Sequence, residues 1–297
     1  MVDLRSLEVF YWVVQLGGFR RAAAKLHTTQ PAVSNRIVQL ETAFHVRLLA
    51  RDRRHRVTLT PKGLELLAYA ERMLALQGEL VSAMADPASL RGTVRLGTSE
   101  TIVHTWLSTL VRRLHQVYPQ ITLDISVDVS TRLHDALLAG ELDVALLLGP
   151  VAGPAVKNLP LCDYPLAFVA HPDLPVGRQP VALEALARWP IITYSRSTAP
   201  YQQVADLFSD SGLASPRIFA NTSLSSIVRM VLDRIGIGVV AKAAVTSEVA
   251  ERRLRLLRTV PRLDPLVFTA SYLTLPGSGL AAAVAALARQ VAGEGSG

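Results

Sequence analysis

Residues 19–41 read FRRAAAKLHTTQPAVSNRIVQLE, and this stretch decides the organisation of the amino-terminal part of the chain. Its first half is rich in alanine, the best helix former. The pattern predicts a short helix over Arg20 to Leu26 whose small side chains let a second helix cross close to its backbone. His27 and Thr28 interrupt the apolar run. Thr29 is placed to cap a second helix by accepting from a free backbone N–H, and Pro31 falls in its first turn, where the missing N–H costs nothing. Val33, Ile37 and Leu40 then recur at i, i+4 and i+7 and form one buried stripe. Gln30, Ala32, Ser34, Asn35 and Arg36 fall off that stripe, near the start of the helix.

Two helices joined by a tight turn, the second polar along one side, are the pattern of a helix-turn-helix, whose second helix meets base edges and phosphates in the major groove of DNA. Gln and Asn pair bidentately with adenine, Arg with guanine, and Ser with a base edge or a phosphate oxygen. The alternative is the solvated face of an ordinary helical hairpin, and charge decides between the two. From Arg20 to Lys62 stand ten basic residues (Arg20, Arg21, Lys25, Arg36, Arg47, Arg51, Arg53, Arg54, Arg56, Lys62) against Glu41 and Asp52, an excess of +8 where the whole chain carries +7. The rest of the chain is therefore close to neutral, and the basic excess sits where counterion-driven binding to a phosphate backbone needs it.

Residues 51–63, RDRRHRVTLTPKG, join an arginine cluster to the alternation Val57, Thr58, Leu59, Thr60 and then a proline, which reads as a short β-hairpin wing. Upstream, Leu7, Phe10, Tyr11 and Val14 make the stripe of a first helix that ends at Gly17-Gly18. Three helices and a wing make a winged helix-turn-helix over residues 1–63. Gln30, Ser34, Asn35 and Arg36 are expected to read bases and Arg51, Arg53, Arg54 and Arg56 to hold phosphates. Arg20, Thr29, Pro31 and Ala32 complete the candidate DNA-contacting set.

This region resembles the DNA-binding domain of the LysR-type transcriptional regulators. The resemblance is carried by Leu7 and Phe10, Gly18-Phe19, Ala22-Ala23, Leu26, Gln30-Pro31-Ala32-Val33-Ser34, Ile37, Leu40-Glu41 and Leu59-Thr60-Pro61-Lys62-Gly63. Asn35 and Arg36 stand where that family varies, and Leu49-Ala50-Arg51 replaces its more usual Phe and Arg before the wing. These departures bear on the operator sequence and leave the activity implied by the resemblance intact.

After Pro61 a long helical stretch runs to about Ala85, and residues 64–90 are expected to be a linker and dimerisation helix. Leu67, Leu74 and Val81 are seven apart, each followed after three by Ala70, Gln77 and Met84, an a/d seam suited to pairing with a second chain. Packing of this helix on its own domain competes with that reading. A small reading head usually needs a partner on a second half-site, and linker helices pair in the family, so a homodimer or a homotetramer is expected.

Arg91-Gly92 opens a different texture. Residues 93–97 read as a strand, 102–117 as an amphipathic helix, 121–129 as a strictly alternating strand, 132–139 as a helix and 144–148 as a buried strand, which argues for a parallel sheet covered on both faces. A second set begins near Cys162, with strands at 166–170, 191–193, 217–220 and 238–241 and helices at 200–208 and 223–232. The strand at 266–273 and the alanine-rich helix from Gly279 return to the first set. Residues 91–297 thus form an α/β domain of two lobes, lobe I about 91–162 with 266–292 and lobe II about 163–265. This part resembles, more loosely, the periplasmic-binding-protein (type 2) architecture of the family's effector domain.

A cleft between such lobes is where a small ligand binds, best held at strand ends that lead into helix N-termini. Thr98, Ser99 and Thr101 are placed to donate to a carboxylate there, whereas Glu100 would repel one unless it points away. The resemblance adds Ser130, Gly149, Ser195, Arg196 and Thr222 as effector-contacting positions. For Ser130 and Thr222 helix capping is the favoured single role. Leu148 and its neighbours suit a partly apolar effector; Arg196 suits an anionic one and equally a surface salt bridge.

Half of the 297 residues are apolar, enough for two cores without disulfides. The single cysteine, Cys162, excludes an internal disulfide and fits a buried structural thiol. No metal-ligand spacing, dinucleotide fingerprint, phosphate loop or nucleophile elbow is present, so neither an enzyme nor a cofactor is expected, and Gly236-Ile237-Gly238 fits a tight turn. No apolar run approaches about eighteen residues and no signal-peptide core opens the chain, which places it in a bacterial cytoplasm, away from membranes. That and the basic head weigh against a solute receptor, the competing class. The closing GEGSG has the composition of a disordered tail. The expected partners are promoter DNA, a small effector and, for an activator, RNA polymerase; an effector that changes the angle between the lobes would shift the linker helices and the spacing of the heads.

Overall fold

The computed structural model describes residues 3–51, 57–84, 90–153, 155–212, 215–260, 262–275 and 277–294, with side chains omitted at Arg51, Ala75, Glu79 and 81–84. The chain divides into two compact units, Met1–Ala85 with Thr274–Gly279, and Asp86–Leu273 with Leu280–Gly297.

The first unit contains α1 (Leu4–Gln15), α2 (Phe19–Lys25), α3 (Gln30–Phe44), β1 (Leu49–Arg51), β2 (Val57–Leu59) and α4 (Pro61–Met84). Local chemistry sets each boundary. Asp3 Oδ1 accepts the Ser6 N–H at 2.6 Å and caps α1. Gly17, at φ 66°, supplies the left-handed residue that ends it. Thr29 Oγ1 accepts the Ala32 N–H at 3.4 Å with Pro31 in the first turn of α3, and His45 closes that helix at φ 54°. Helix α1 packs against α2, α3 and α4. Its Leu7, Val9, Phe10, Tyr11 and Val13 are all buried, with Ala22, Ala23, Val33, Ile37 and Leu40 facing them.

The wing pairs β1 with β2 antiparallel, Ala50 opposite Thr58. Glu41, on α3, accepts the N–H groups of Leu48 and Leu49 at 2.8 and 3.2 Å and so fixes where the wing begins. Thr60 Oγ1 donates to the Arg47 carbonyl at 2.7 Å and accepts the Gly63 N–H at 2.9 Å, capping α4. Gly63 allows this junction to close: a Cβ there would stand 2.1 Å from the Leu48 carbonyl oxygen.

The first half of the expected dimerisation seam, Leu67 to Leu74, faces inward instead, whereas Gln77 is exposed. Leu74 is 3% exposed and Ala70 fully buried in the core of this unit, Leu67 packs against the same cluster, and the Val81 side chain lies outside the described residues. Apolar seam residues make equally good core residues, and α1 claims them. The exposed apolar side of α4 carries Tyr69 (60% exposed), Met73 (48%), Leu76 (67%) and Leu80 (60%), spaced i, i+4, i+7 and i+11.

The second unit contains β3 (Arg91–Thr98), α5 (Glu100–Val103), α6 (Leu107–Val117), β4 (Gln120–Val127), α7 (Ser130–Leu138), β5 (Val144–Leu148), β6 (Val156–Tyr164), β7 (Leu166–Ala170), α8 (Leu183–Leu186), β8 (Ile191–Tyr194), α9 (Ala199–Asp210), β9 (Ile218–Asn221), α10 (Leu224–Leu232), β10 (Ile237–Ala241), α11 (Thr246–Ala250), β11 (Arg255–Leu257), β12 (Leu266–Leu273) and α12 (Gly279–Glu294). Lobe I is a five-stranded sheet in the order β4-β3-β5-β12-β6 and lobe II one in the order β11-β7-β10-β8-β9. In β5, Val144 and Leu146 belong to the cluster that holds Leu110 of α6 and Val284 of α12, while Ala145 and Leu147 meet Leu133 and Leu137 of α7. In lobe II, Val169, Ile192 and Val240 face Ile227 and Val231 of α10, and their strand neighbours Phe168, Ile191 and Val239 share a cluster with Val204 and Phe208 of α9.

Four differences from the sequence reading have physical causes. The lobe I sheet is mixed, because β12 returns antiparallel to both β5 and β6. Strand β6 was not expected; Pro160 and a register shift opposite Phe268/Thr269 interrupt its pattern, which an edge strand tolerates. The anticipated helix over 102–117 breaks into α5 and α6, with Trp106 as the N-cap of the second. Strand β4, on the sheet edge, is exposed on both faces from Asp124 onward, so its alternation does not correspond to alternate burial. At the end of the chain Gly293 and Glu294 belong to α12, and residues 295–297 of the expected tail lie outside the described residues.

Gly63→Ala must push α4 away from Leu48. It should destabilise the protein by about 1–3 kcal/mol, read as a lowered urea midpoint.

Candidate functional site

The first unit presents one candidate surface. With Val33, Ile37 and Leu40 buried, the opposite side of α3 exposes Gln30, Pro31, Ala32 and Asn35, while Ser34 is half-buried. Arg20 is exposed at the start of α2. Thr29 spends its hydroxyl on the cap of α3. Val38, one turn further on and 57% exposed, shares this face and was not among the residues singled out from the sequence. Arg53, Arg54 and Arg56 lie outside the described residues, as does the Arg51 side chain.

Arg36 stands apart from this group. Its Nη1 lies 3.4 Å from Ser6 Oγ and 3.5 Å from Asp3 Oδ2, so the guanidinium points back to the start of α1. Hydrogen bonds from Ser6, reinforced by the Arg36 charge, hold the Asp3 carboxyl below the usual carboxylate range. Arg36 therefore neutralises the acid that caps α1, which its position beside the buried stripe explains.

The second unit holds a cavity of about 660 Å³ between its lobes. Lobe I contributes Ser99, Glu100 and Thr101 from the end of β3 and the start of α5, Asp128, Ser130 and Arg132 from the approach to α7, and Leu148. Lobe II contributes Tyr194, Ser195, Ser197 and Thr198 between β8 and α9, and Thr222 and Ser223 ahead of α10; Leu266 and Phe268 of β12 close the apolar side. Five candidates from the sequence, Ser99, Thr101, Ser130, Ser195 and Thr222, thus meet around one space.

Three others lie off it. Thr98 is fully buried within β3. Gly149 answers to backbone packing, since a Cβ there would lie 2.0 Å from Thr269 Oγ1. Arg196 is exposed, with its guanidinium over the Tyr201 ring at 5.7 Å.

The capping roles also differ from expectation. Ser130 Oγ accepts the Leu148 N–H at 3.0 Å, tying the end of β5 to the start of α7. The cap of α10 is Ser223, whose Oγ accepts the Ser226 N–H at 3.3 Å, which leaves Thr222 on the cavity wall without that duty.

Contacts across the cleft were not legible in sequence. The Tyr194 hydroxyl accepts the Ala241 N–H at 3.2 Å and lies 3.4 Å from Thr101 Oγ1. Burial raises the pKa of this phenol, which is neutral. His104 Nε2 lies 3.1 Å from Ser225 Oγ, and the Glu100 carboxylate accepts the Leu224 N–H at the start of α10. Ser99 Oγ is buried and has no hydrogen-bond partner among the described residues. Cys162, on β6, is 8% exposed, and burial pushes its thiol up, which disfavours the reactive thiolate. No group of three or more His, Cys, Asp or Glu able to hold a metal occurs among the described residues, and none of the described helices is long and apolar enough to cross a membrane.

Two family descriptions match the chain: "Bacterial regulatory helix-turn-helix protein, lysR family" over residues 4–64 and "LysR substrate binding domain" over residues 87–296. A "Probable hydrogen peroxide-inducible genes activator" of Streptomyces viridosporus is 33% identical over 251 residues, 83% of this chain and 80% of that protein. The "HTH-type transcriptional regulator CysB" of Haemophilus influenzae is 27% identical over 233 residues, 76% of this chain and 71% of that one. Among solved structures, a full-length OxyR variant from Pseudomonas aeruginosa aligns with a TM-score of 0.59 at 25% identity, covering 98% of this chain and 95% of the other.

Ser130→Ala strips the Leu148 N–H of its acceptor and should cost about 1–3 kcal/mol in chemical denaturation. Thr222→Val, at a position with no cap to lose, should leave the denaturation midpoint nearly unchanged.

Proposed function

Because the chain belongs to the LysR-type transcriptional regulators, DNA-binding proteins with an effector-binding domain, we propose that it reads its promoter through the exposed start of α3 and is switched by a small molecule held between its lobes. The observation that carries the first half is the face of α3 that shows Gln30 and Asn35 to solvent while Val33, Ile37 and Leu40 are buried behind it. Gln30, Ser34 and Asn35 read base edges from the major groove, and Val38 is placed for apolar contact with a thymine methyl. Arg20 and the wing arginines Arg51, Arg53, Arg54 and Arg56 hold phosphates on either side, with Thr29, Pro31 and Ala32 setting the approach of the helix. Arg36 acts one step back, by closing α1 against α3.

The apolar stripe Tyr69, Met73, Leu76 and Leu80 is the dimerisation face of α4, because a helix that leaves such residues exposed gains most from pairing with a copy of itself. A dimer, or a tetramer built from two, then presents two α3 helices to two half-sites. The cavity hydroxyls from both lobes bind the effector, which shifts transcription by binding one lobe arrangement more tightly than another. RNA polymerase is the further partner if the protein activates. The site of action is the bacterial cytoplasm, where the promoter is, and no catalysis is involved.

Gln30→Ala and Asn35→Ala should each relax base preference at one or two operator positions, at about 1–3 kcal/mol, whereas Arg36→Ala should lower thermal stability and leave the preference as it was. Replacing Arg53 and Arg54 should weaken all sequences alike and flatten the salt dependence. Gel shifts over a set of operator variants check all four changes, and identical profiles throughout would reject this surface.

Leu76→Glu with Leu80→Glu should give a folded monomer by light scattering. Leu74→Ala should instead destabilise the first unit by about 2–5 kcal/mol while leaving the dimer intact at low temperature. A dimer that survives the paired glutamates rules out this face.

A further inference from the structure

The Glu100 side chain does something its position in the sequence does not suggest. It stands at the start of α5 in lobe I, on the cavity wall, and its carboxylate accepts the Leu224 N–H at the start of α10 in lobe II. Helix α10 has nine residues, so its free N–H groups and dipole favour a negative charge at that point. Ser223 meets part of the same demand by accepting the Ser226 N–H. The anion that the strand-to-helix geometry would otherwise recruit from solution is thus supplied by the protein itself.

The remaining charges on the wall point the same way. Asp128 accepts the Val129 N–H at 2.7 Å, and Arg132, the cation among the described lining residues, lies 3.5 Å from Asp128. Glu100 and Asp128 against Arg132 leave the wall with a net charge of −1. Arg196, the candidate for an anionic effector, lies over Tyr201 and off the cavity wall. The polar side chains that remain on the wall, among the described residues, are hydroxyls. A hydroxyl serves an uncharged ligand as donor or acceptor and serves an ammonium group as acceptor.

We infer that Glu100 is a specificity-determining residue: its carboxylate fills the anion-attracting start of α10, so the cleft excludes a negatively charged effector there and takes one that is uncharged or positively charged, with an apolar side against Leu148 and Phe268. This inference rests on the reading of the cleft as the effector site, and it decides against the anionic effector that Arg196 would have suited.

The test uses the full-length chain as wild type, Glu100→Ala and Glu100→Gln, with acetate as the probe. Acetate is the piece of the glutamate side chain that the alanine variant lacks. Acetate is exchanged for chloride at constant ionic strength, and binding is followed by thermal shift and by the amide resonance of Leu224. The wild type should show no saturable response. Glu100→Ala should bind acetate about tenfold or more tightly than wild type, as a vacated helix start predicts, with the Leu224 amide shifting on titration. Glu100→Gln keeps an acceptor on Leu224 but no charge, and should fall between the two. Equal acetate binding by wild type and Glu100→Ala overturns the inference, and so does the absence of binding in both variants. Promoter binding measured in parallel separates this result from the reading beneath it: a promoter affinity that changes as acetate fills the vacated start of α10 in Glu100→Ala supports the cleft as the effector site, whereas the predicted acetate order with unchanged promoter affinity leaves only the pairing of Glu100 with α10 and overturns its role in effector choice.

Discussion

Helix α1 turns apolar side chains towards α2, α3 and α4 at the same time, and the geometry of the first unit follows from what that burial demands. Val33, Ile37 and Leu40 must face Leu7, Phe10 and their neighbours, so the polar start of α3 has to face out. Ala70 and Leu74 must face α1 as well, which rotates Tyr69, Met73, Leu76 and Leu80 into solvent. The same packing brings Arg36 of α3 within 3.5 Å of Asp3 at the start of α1. Close-packed interiors allow little freedom in such assignments, since rotating any one helix would bury charge and expose core.

The second unit solves a different problem. Each lobe is a sheet whose inner strands carry helices on both faces, and the cavity between them is walled by segments where strands end and helices begin. Such ends carry unsatisfied N–H groups and hydroxyl-rich turns. Here several of those groups are answered from within the protein: Leu148 by Ser130, Ala241 by Tyr194 and Leu224 by Glu100. What the cleft offers a ligand is the residue left after this internal accounting, mostly hydroxyls and aliphatic surface. An effector is therefore selected as much by the protein groups already paired as by those still free.

Much of the architecture was legible in local pattern. Thr29 with Pro31 and Thr60 with Pro61 marked helix starts because capping and proline placement are decided within one turn of chain. The buried strands 144–148 and 166–170 were legible because continuous apolar runs have few other places to go. Strand β6 was missed since Pro160 breaks its pattern and its partner β12 lies a hundred or so residues on, across all of lobe II. For α4 the sequence left pairing and packing on its own domain both open, because two apolar faces compete on that helix and heptad spacing does not say which one the core will take.

The sequence by itself determined most of the longer helices, the basic head, the two-lobed α/β half and the family, because these rest on periodicity, composition and short motifs that act within a few residues. Only the tertiary structure decided which way particular side chains point. Arg36 turns to an acid 33 positions away, Leu74 turns inward to α1, and Glu100 reaches a backbone N–H 124 positions along the chain. Those pairings depend on distances through space between segments remote in sequence, and a carboxylate or guanidinium has the same local pattern whether it meets solvent, ligand or a partner of its own chain.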